Sequence, residues 1–428
     1  MPSIKISSFG PIRDFSGSVD NFVVLIGPQA SGKSTITKLV YFFKMLPVWT
    51  ANYDPASSKG GDFGGFISTI RHKFINLFGP INYQRNMKIE YQFSSSVPDA
   101  YCKVCIDRDL VRFEFGNTIL GNLQSLIKTI IKDKREEEAN QKGFSGIISS
   151  RQKSITSPRA DYLDIAKQLF YTKQTPIFIP AGRTLLSLLS GQVGAVLYDK
   201  QDFIMADFVT TIQKIRPQFQ RSLGEIFNTA RATQQIQPDE ERAKLAQQMI
   251  EVVLRGRYAF ENNEERIYHN SGFTKLSFAS SGQQESIWIL LMAYMLILER
   301  ESTFIIFEEP EAHLFPAGQD AIMRLLTLLY GANDTNGIIV TTHSPYVLSS
   351  VNNLIFAEKA GKKSRHDIEG IIHPKFWLKF SDVHSYSMSA TGISTDIFDH
   401  DLEMIRAEEI DTASRLLNDE FDRMNQYA

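Results

Sequence analysis

Cysteine is scarce: the 428 residues contain two, Cys102 and Cys105. A disulfide framework is therefore excluded, and a reducing cytoplasm is the expected setting. The Cys102-x-x-Cys105 spacing would suit a redox or zinc site, but zinc needs a second pair of ligands and none is nearby. Alternation from Ala100 to Phe115 instead makes both cysteines structural residues of a strand. Long apolar runs are also missing. The longest, Ile287 to Leu298, is shorter than the ~18 residues of a membrane-spanning helix and reads as a buried core helix, so no membrane partner is expected. Met1-Pro2-Ser3-Ile4-Lys5 lacks the charged start and apolar stretch of a signal peptide. Charge of one sign is not in excess, with 46 Lys and Arg against 48 Asp and Glu for a net charge of -2. That excludes a chain that coats nucleic acid by bulk charge, though not a local basic patch. No internal repeat or sustained heptad occurs, which excludes a repeat array and a long coiled coil.

What is present is the alternation of an α/β protein. Phe22 to Ile26 is a continuous apolar run, suited to a strand buried on both faces, and a helix is expected from about Lys33 to Leu46. The stretch Ala51 to Gly65, rich in Gly, Ser and Asp, reads as a flexible surface loop near a ligand. Met87 to Ser94 and Tyr101 to Phe115 read as antiparallel strands, and Leu123 to Lys173 as helical with a weaker middle around Gly143 to Pro158. Pro176 to Pro180 returns to strand, and Ala206 to Leu254 is a second helical block. Further on come a hairpin near Arg257 to His269, the apolar helix after Gly282, a strand Thr303 to Phe307, a helix Ala317 to Tyr330, a strand Gly337 to Thr342 and another at Leu354 to Glu358. The length suggests two domains or one domain with an insertion. The expected division is an N-terminal lobe over 1–120, a mainly helical insertion over 121–255, and a C-terminal lobe over 256–428.

Four motifs carry chemistry. Gly27-Pro28-Gln29-Ala30-Ser31-Gly32-Lys33-Ser34-Thr35 lies between a buried strand and a helix, the context of a phosphate-binding loop. Its glycines let backbone N–H groups turn inward toward a nucleotide phosphate, Lys33 bridges phosphates, and the Ser34 hydroxyl is a magnesium ligand. Next, Thr303 to Phe307 ends in Glu308-Glu309-Pro310. Carboxylates at the C-terminal end of a buried strand sit where α/β sheets bind ligands, so Glu308 is the second metal candidate and Glu309 the base that orients water. Third, Gly337 to Thr342 delivers His343 as a γ-phosphate sensor, although a lone histidine is more often structural. Fourth, Ser280-Ser281-Gly282-Gln283 opens the apolar helix and forms a second anion site. Because the first loop already holds the phosphates, Ser281 and Gly282 are expected to serve the ATP of a second copy of the chain. ATP and Mg²⁺ are the expected ligands.

These four elements, in this order, resemble the ATP-binding-cassette superfamily in its SMC-like branch. Glu308-Glu309-Pro310-Glu311-Ala312-His313-Leu314-Phe315-Pro316 is similar to the ATPase domain of overcoming-lysogenization-defect (OLD) proteins and of anti-phage systems such as PARIS and Septu. The resemblance covers roughly residues 1 to 50 and 256 to 358 by motif. It implies a P-loop NTPase of the ABC-ATPase head type: a mixed, mostly parallel sheet with an antiparallel β subdomain and a helical insertion. It also implies that Ala312 to Leu314 form a D-loop at a dimer interface. Pro180-Ala181-Gly182-Arg183 falls where relatives place the Q-loop, which makes Arg183 a candidate phosphate or interface sensor. Gln29-Ala30 and Phe315 depart from the common residues of the family, and Glu308 stands in for the aspartate of cassette transporters.

The residues after His343 are too few for the TOPRIM nuclease domain of OLD nucleases, and the acid-rich tail reads as an amphipathic helical segment carrying Leu402, Ile405, Ile410, Leu416, Leu417 and Phe421. The expected function is an ATPase that dimerises around ATP and regulates a separately encoded effector, a nuclease or TOPRIM-type toxin, in anti-phage defence. The alternative is a DNA-binding repair ATPase resembling RecF-type heads, with Lys128, Lys132, Arg151, Lys153, Arg159, Lys214, Arg216 and Arg221 available to meet DNA.

Overall fold

A computed structural model describes residues 1–57, 62–79, 86–107, 110–143, 160–183, 203–262, 264–406 and 412–425. Its strands in chain order are β1 (Ser3–Phe9), β2 (Ile12–Ser18), β3 (Phe22–Ile26), β4 (Lys88–Gln92), β5 (Tyr101–Asp107), β6 (Leu110–Phe115), β7 (Thr175–Ile179), β8 (Arg257–Glu261), β9 (Glu264–His269), β10 (Gly272–Lys275), β11 (Thr303–Glu308), β12 (Gly337–Thr342), β13 (Val383–Met388) and β14 (Ser394–Asp396).

The chain divides into two compact units that interleave in sequence. The first comprises Met1–Asp20, Ser34–Pro176 and Thr391–Ile393; the second comprises Asn21–Lys33, Ile177–Ala390 and Ser394–Ala428. This differs from the expected three-part division. The phosphate loop groups with the later residues, and the helical stretch after residue 120 is shared between both units, because each strand is claimed by the sheet it pairs in.

The first unit is built on an antiparallel sheet of order β2-β1-β4-β5-β6. In β1 the buried residues Ile4 and Ile6 alternate with exposed Lys5, the period of a sheet with one covered face. Aromatic side chains fill the core: Phe43 stacks on Tyr91 at 4.7 Å, and Phe42 meets Phe74 edge-on at 5.2 Å. Such pairs add about 0.5–1.5 kcal/mol each beyond the area they bury. The single strand expected from Tyr101 to Phe115 is a hairpin of β5 and β6. Cys102 and Cys105 are free thiols on β5, and burial raises the pKa of Cys102 well above the ordinary thiol value. Three residues apart on a strand, they point to opposite faces. Part of the loop expected after Ala51 is helical: Asp62 caps the helix Phe63–Phe78, its carboxylate accepting from the Gly65 N–H at 2.8 Å, while Gly60 and Gly61 lie outside the described residues.

The second unit carries a six-stranded sheet of order β14-β13-β3-β12-β11-β7, in which β13, β3, β12 and β11 run parallel and β14 is antiparallel. Every residue of β11 and β12 is buried, which explains their unbroken apolar sequences. The helix Ser281–Glu299 is apolar on nearly all sides for the same reason, and it packs with the helices Glu240–Leu254 and Pro316–Tyr330 around the core. β8, β9 and β10 form a separate antiparallel meander, one strand more than the expected hairpin.

Leu354 to Glu358 is not a strand. It belongs to the helix Pro345–Gly361, where Leu354, Ile355 and Ala357 line the buried face; Pro345 in the first turn and the Ser344 cap start that helix. On the side of β3 away from β12 lies β13, whose sequence Val-His-Ser-Tyr-Ser-Met carries too little apolar pattern to announce a strand. Among the described residues of the expected amphipathic tail, Thr412–Asn425 are helical, and Asp399 holds a turn by accepting from the Asp401 and Leu402 N–H groups. Ile410 and the stretch 144–158 lie outside the described residues. No described helix is long and apolar enough to cross a membrane.

Candidate functional site

Gly27 to Lys33 follow β3 directly and join it to the helix Lys33–Ala51. The loop needs its glycines. Gly27 has φ 153°, and a Cβ there would lie 2.3 Å from the Met388 carbonyl oxygen; Gly32 has φ 103°. Ala30, at φ 58°, takes the left-handed conformation at a steric cost that a loop-forming site tolerates. Pro28, Gln29 and Ala30 are exposed at the loop crest, and Ser34 and Thr35 follow on the first helical turn, exposed and half-buried respectively. The Ser31 hydroxyl is buried without a hydrogen-bond partner.

The Lys33 ammonium donates to the Gly27 carbonyl at 2.7 Å and the Pro28 carbonyl at 2.9 Å, and lies 3.2 Å from His343 Nε2. Three N–H donors thus meet three acceptors. Burial lowers the Lys33 pKa from 10.5 to about 8, opposed by the negative charges of Glu309, Glu311 and Glu308.

β11 and β12 end side by side, and the parallel register sets Glu308 opposite Thr341. Glu309, just past β11, has φ 45°, an uncommon left-handed conformation for a glutamate. It is held there because its N–H donates to the Thr341 carbonyl at 3.0 Å. Its carboxylate reaches within 3.3 Å of His343 Nε2. Burial, then the Lys33 charge, lowers the His343 pKa, against the pull of Glu309. One ring nitrogen therefore faces a donor and an acceptor: it accepts from Lys33 in one tautomer and donates to Glu309 in the other.

Two acids play parts that the motifs did not announce. Glu311 is buried and accepts from the Thr342 hydroxyl and, at 3.3 Å, from the His343 N–H; its Oε2 has no partner, and burial raises its pKa. Glu285 is a buried acid on the apolar helix Ser281–Glu299, and its Oε2 accepts from the Arg183 N–H at 2.9 Å. An acid inside an otherwise apolar helical run was the available signal for Glu285, and the third acid of Glu-Glu-Pro-Glu was the signal for Glu311.

Ser280 caps the helix Ser281–Glu299 through a capping box with Gln283, leaving Ser280 and Ser281 exposed at its start. Gln283 is satisfied within the chain: its Oε1 accepts from the Ser280 N–H and its Nε2 donates to the Leu254 carbonyl at 2.6 Å. Gly282 is required by contact, since a Cβ would lie 2.6 Å from the His313 carbonyl oxygen. His313 itself is left-handed at φ 62°.

Arg183 departs most from expectation. It is 0% exposed rather than facing a phosphate or an interface. Four of its five guanidinium N–H groups are engaged: Nε with the Glu285 carbonyl at 3.1 Å, Nη1 with the Pro180 and Glu308 carbonyls at 2.5 and 2.8 Å, and Nη2 with the Glu309 carbonyl at 3.1 Å.

Among the basic residues considered for DNA, Lys132 lies 3.8 Å from Glu136 and Arg216 lies 3.4 Å from Glu265, while Arg221 lines a cleft with Glu225. Arg151, Lys153 and Arg159 lie outside the described residues.

A family profile described as an AAA ATPase domain matches residues 122–348, more than half of the chain. The chain belongs to the AAA ATPase domain family. The match contains β11 and β12 with Glu308, Glu309 and His343, and begins downstream of the phosphate loop. With that loop placed directly after β3 of the parallel sheet, this AAA ATPase has the P-loop ATPase fold of mixed α/β class. Solved structures similar to it include three SMC heads. The SMC head bound to the C-winged helix domain of ScpA is 12% identical, covering 92% of this chain and 97% of that one at a TM-score of 0.39. The SMC head domain from Thermotoga maritima is 13% identical, covering 92% and 96% at 0.34. The Smc head domain with an extended coiled coil bound to the C-terminal domain of ScpA, from Pyrococcus furiosus, is 11% identical, covering 98% and 99% at 0.38. At these scores the likeness is loose. No curated protein matches the chain.

Proposed function

We propose that this ATPase binds ATP on the Gly27–Lys33 loop and hydrolyses it with Glu309 as the base that orients water and His343 as the γ-phosphate sensor. The observation that carries the reading is the contiguous chain Lys33–His343–Glu309, at 3.2 and 3.3 Å, at the C-terminal end of the parallel strands. The residues fit a phosphate: the buried Ser31 hydroxyl lacks a partner, and the Lys33 ammonium rests on the loop's own carbonyls, which a phosphate would outcompete. Lys33 released from Gly27 and Pro28 leaves His343 Nε2 free to turn to Glu309, which couples the base to occupancy of the loop.

Ser34 and Glu308 are the proposed magnesium ligands. Magnesium neutralises charge on the phosphates during transfer. Among the described residues no cluster of three or more His, Cys, Asp or Glu side chains could hold a metal ion by itself.

The exposed Ser280 and Ser281, with the buried Gly282 behind them at a capped helix start, supply a second anion site, and we assign it to the ATP of a second copy of the chain. The Glu308-to-Pro316 resemblance to OLD-type ATPases supports a sensor role in phage defence with a separate effector. The test is the mass of Glu309→Gln by light scattering with and without ATP and Mg²⁺. ATP is expected to drive it into a lasting dimer or larger assembly; a mass unchanged by ATP would remove the sandwich.

A further inference from the structure

We propose that Arg183 is a positioning residue for hydrolysis, the link through which the start of the helix Ser281–Glu299 sets the backbone of Glu309. The proposal rests on Glu309 being the base. Four strands of observation meet at this arginine, all within the second unit.

First, Arg183 does not touch the Glu309 side chain. It grips the backbone on either side of the carboxylate that matters, donating from Nη1 to the Glu308 carbonyl at 2.8 Å and from Nη2 to the Glu309 carbonyl at 3.1 Å. Second, the gripped residue is the one in an uncommon conformation. Glu309 at φ 45° is fixed on its N–H side by Thr341 and on its carbonyl side by Arg183, so the arginine completes the pair of clamps that a disfavoured conformation needs in order to persist. Third, the turn that carries Arg183 also addresses the neighbouring acid, since the Ala181 N–H lies 3.4 Å from Glu308 Oε2; Gly182 at φ 74° allows that turn. Fourth, the other end of the grip is Glu285, which meets Arg183 in three contacts on two arginine atoms, the backbone N and Nε. Its Oε2 accepts from the Arg183 N–H at 2.9 Å and lies 3.5 Å from Nε, and its carbonyl accepts from Nε at 3.1 Å.

Glu285 is one helical turn from Ser281, which is exposed, and from the buried Gly282, both at the start of that helix. The same start touches the segment after Glu309 directly, through Gly282 against the His313 carbonyl. A shift of the helix start therefore reaches the Glu309 backbone by two routes, one of contact and one of hydrogen bonds. A planar, five-donor guanidinium can hold four acceptors on three elements at once; a lysine ammonium has three donors and no fixed plane. Burying a charged pair is a poor source of stability, so its use here points to geometry.

The experiment compares kcat for ATP hydrolysis with the Kd of a fluorescent ATP analogue in the full chain. Arg183→Lys is expected to lower kcat about tenfold or more while Kd stays within about threefold, the signature of lost positioning rather than lost binding. Glu285→Gln keeps an acceptor for the Arg183 N–H and removes the charge, and is expected to fall between the two. The double variant should be no slower than Arg183→Lys alone, since coupled residues are not additive. Weakened analogue binding at unchanged kcat would make Arg183 a ligand contact and overturn the proposal, as would effects that multiply. If Arg183→Lys does not fold, Glu285→Gln decides alone: reduced kcat at unchanged Kd supports the link, and wild-type kcat removes it. Glu309→Gln serves as the control, because hydrolysis by that variant overturns the base assignment itself, whereas its inactivity beside a fully active Arg183→Lys overturns only the link.

Discussion

Each unit of the molecule buries a lysine whose pKa is lowered from 10.5 to about 8, in both cases first by burial. Lys44 in the first unit donates to Gln174 Oε1 at 2.6 Å and lies 3.9 Å from Asp20. Lys33 in the second donates to carbonyls of its own loop and faces His343 and, beyond it, Glu309. The shift is the same, and the surroundings differ. A perturbed lysine marks a site only when its partners can be exchanged for a ligand. Loop carbonyls on a crest of exposed residues can be; a side-chain amide inside a packed unit cannot.

Exchanging the two lysines' fates is the widest separation available. Lys33→Ala removes charge-assisted hydrogen bonds worth about 1.5–3 kcal/mol each, so ATP affinity should fall about tenfold to a hundredfold or more by calorimetric titration. Lys44→Met should leave ATP affinity unchanged; an equal loss in both variants would break the distinction between site and scaffold. Next in size is Gly282→Ala. Its Cβ would lie 2.6 Å from the His313 carbonyl oxygen, and the backbone shift should cost about 1–3 kcal/mol in denaturant unfolding, with Gly121→Ala, where nothing lies within 4 Å of the added carbon, as the mild comparison.

The last effect concerns pH. A lysine with its folded pKa below the unfolded value binds fewer protons folded than unfolded between about 8 and 10.5, so stability rises with pH across that window and is lowest below it. The melting temperature of the ligand-free protein, relative to Lys44→Met, should rise from pH 8 toward pH 10.5. Relative to Lys33→Met it should also rise, but this second difference should vanish with ATP bound, since a phosphate stabilises the charged form. Persistence of both differences with ATP would place Lys33 away from the phosphate.

The chain's local logic was readable. The phosphate loop, the acidic end of β11 and the histidine after β12 are each contiguous, and fully buried parallel strands announce themselves as unbroken apolar runs. What escaped was whatever depended on distant partners. Arg183 was expected as a phosphate or interface sensor because its anchors on Glu285, Glu308 and Glu309 are 102 to 126 residues away in sequence. β13 was hidden because a strand with serines at Ser385 and Ser387 lacks a period, and Leu354 to Glu358 misled because a short apolar run fits a strand as well as one face of a helix. The interleaved units escaped for the same reason: pairing β3 with both β12 and β13 is a choice made in three dimensions.

The central claim is that Lys33, His343 and Glu309 form one hydrolytic site. Phosphate release by Glu309→Gln, measured beside ATP binding by the same protein, tests it most directly. The account predicts binding within about threefold of wild type and release slowed about 10²–10⁴-fold, the usual contribution of a positioned base. Release at the wild-type rate with binding intact would contradict it.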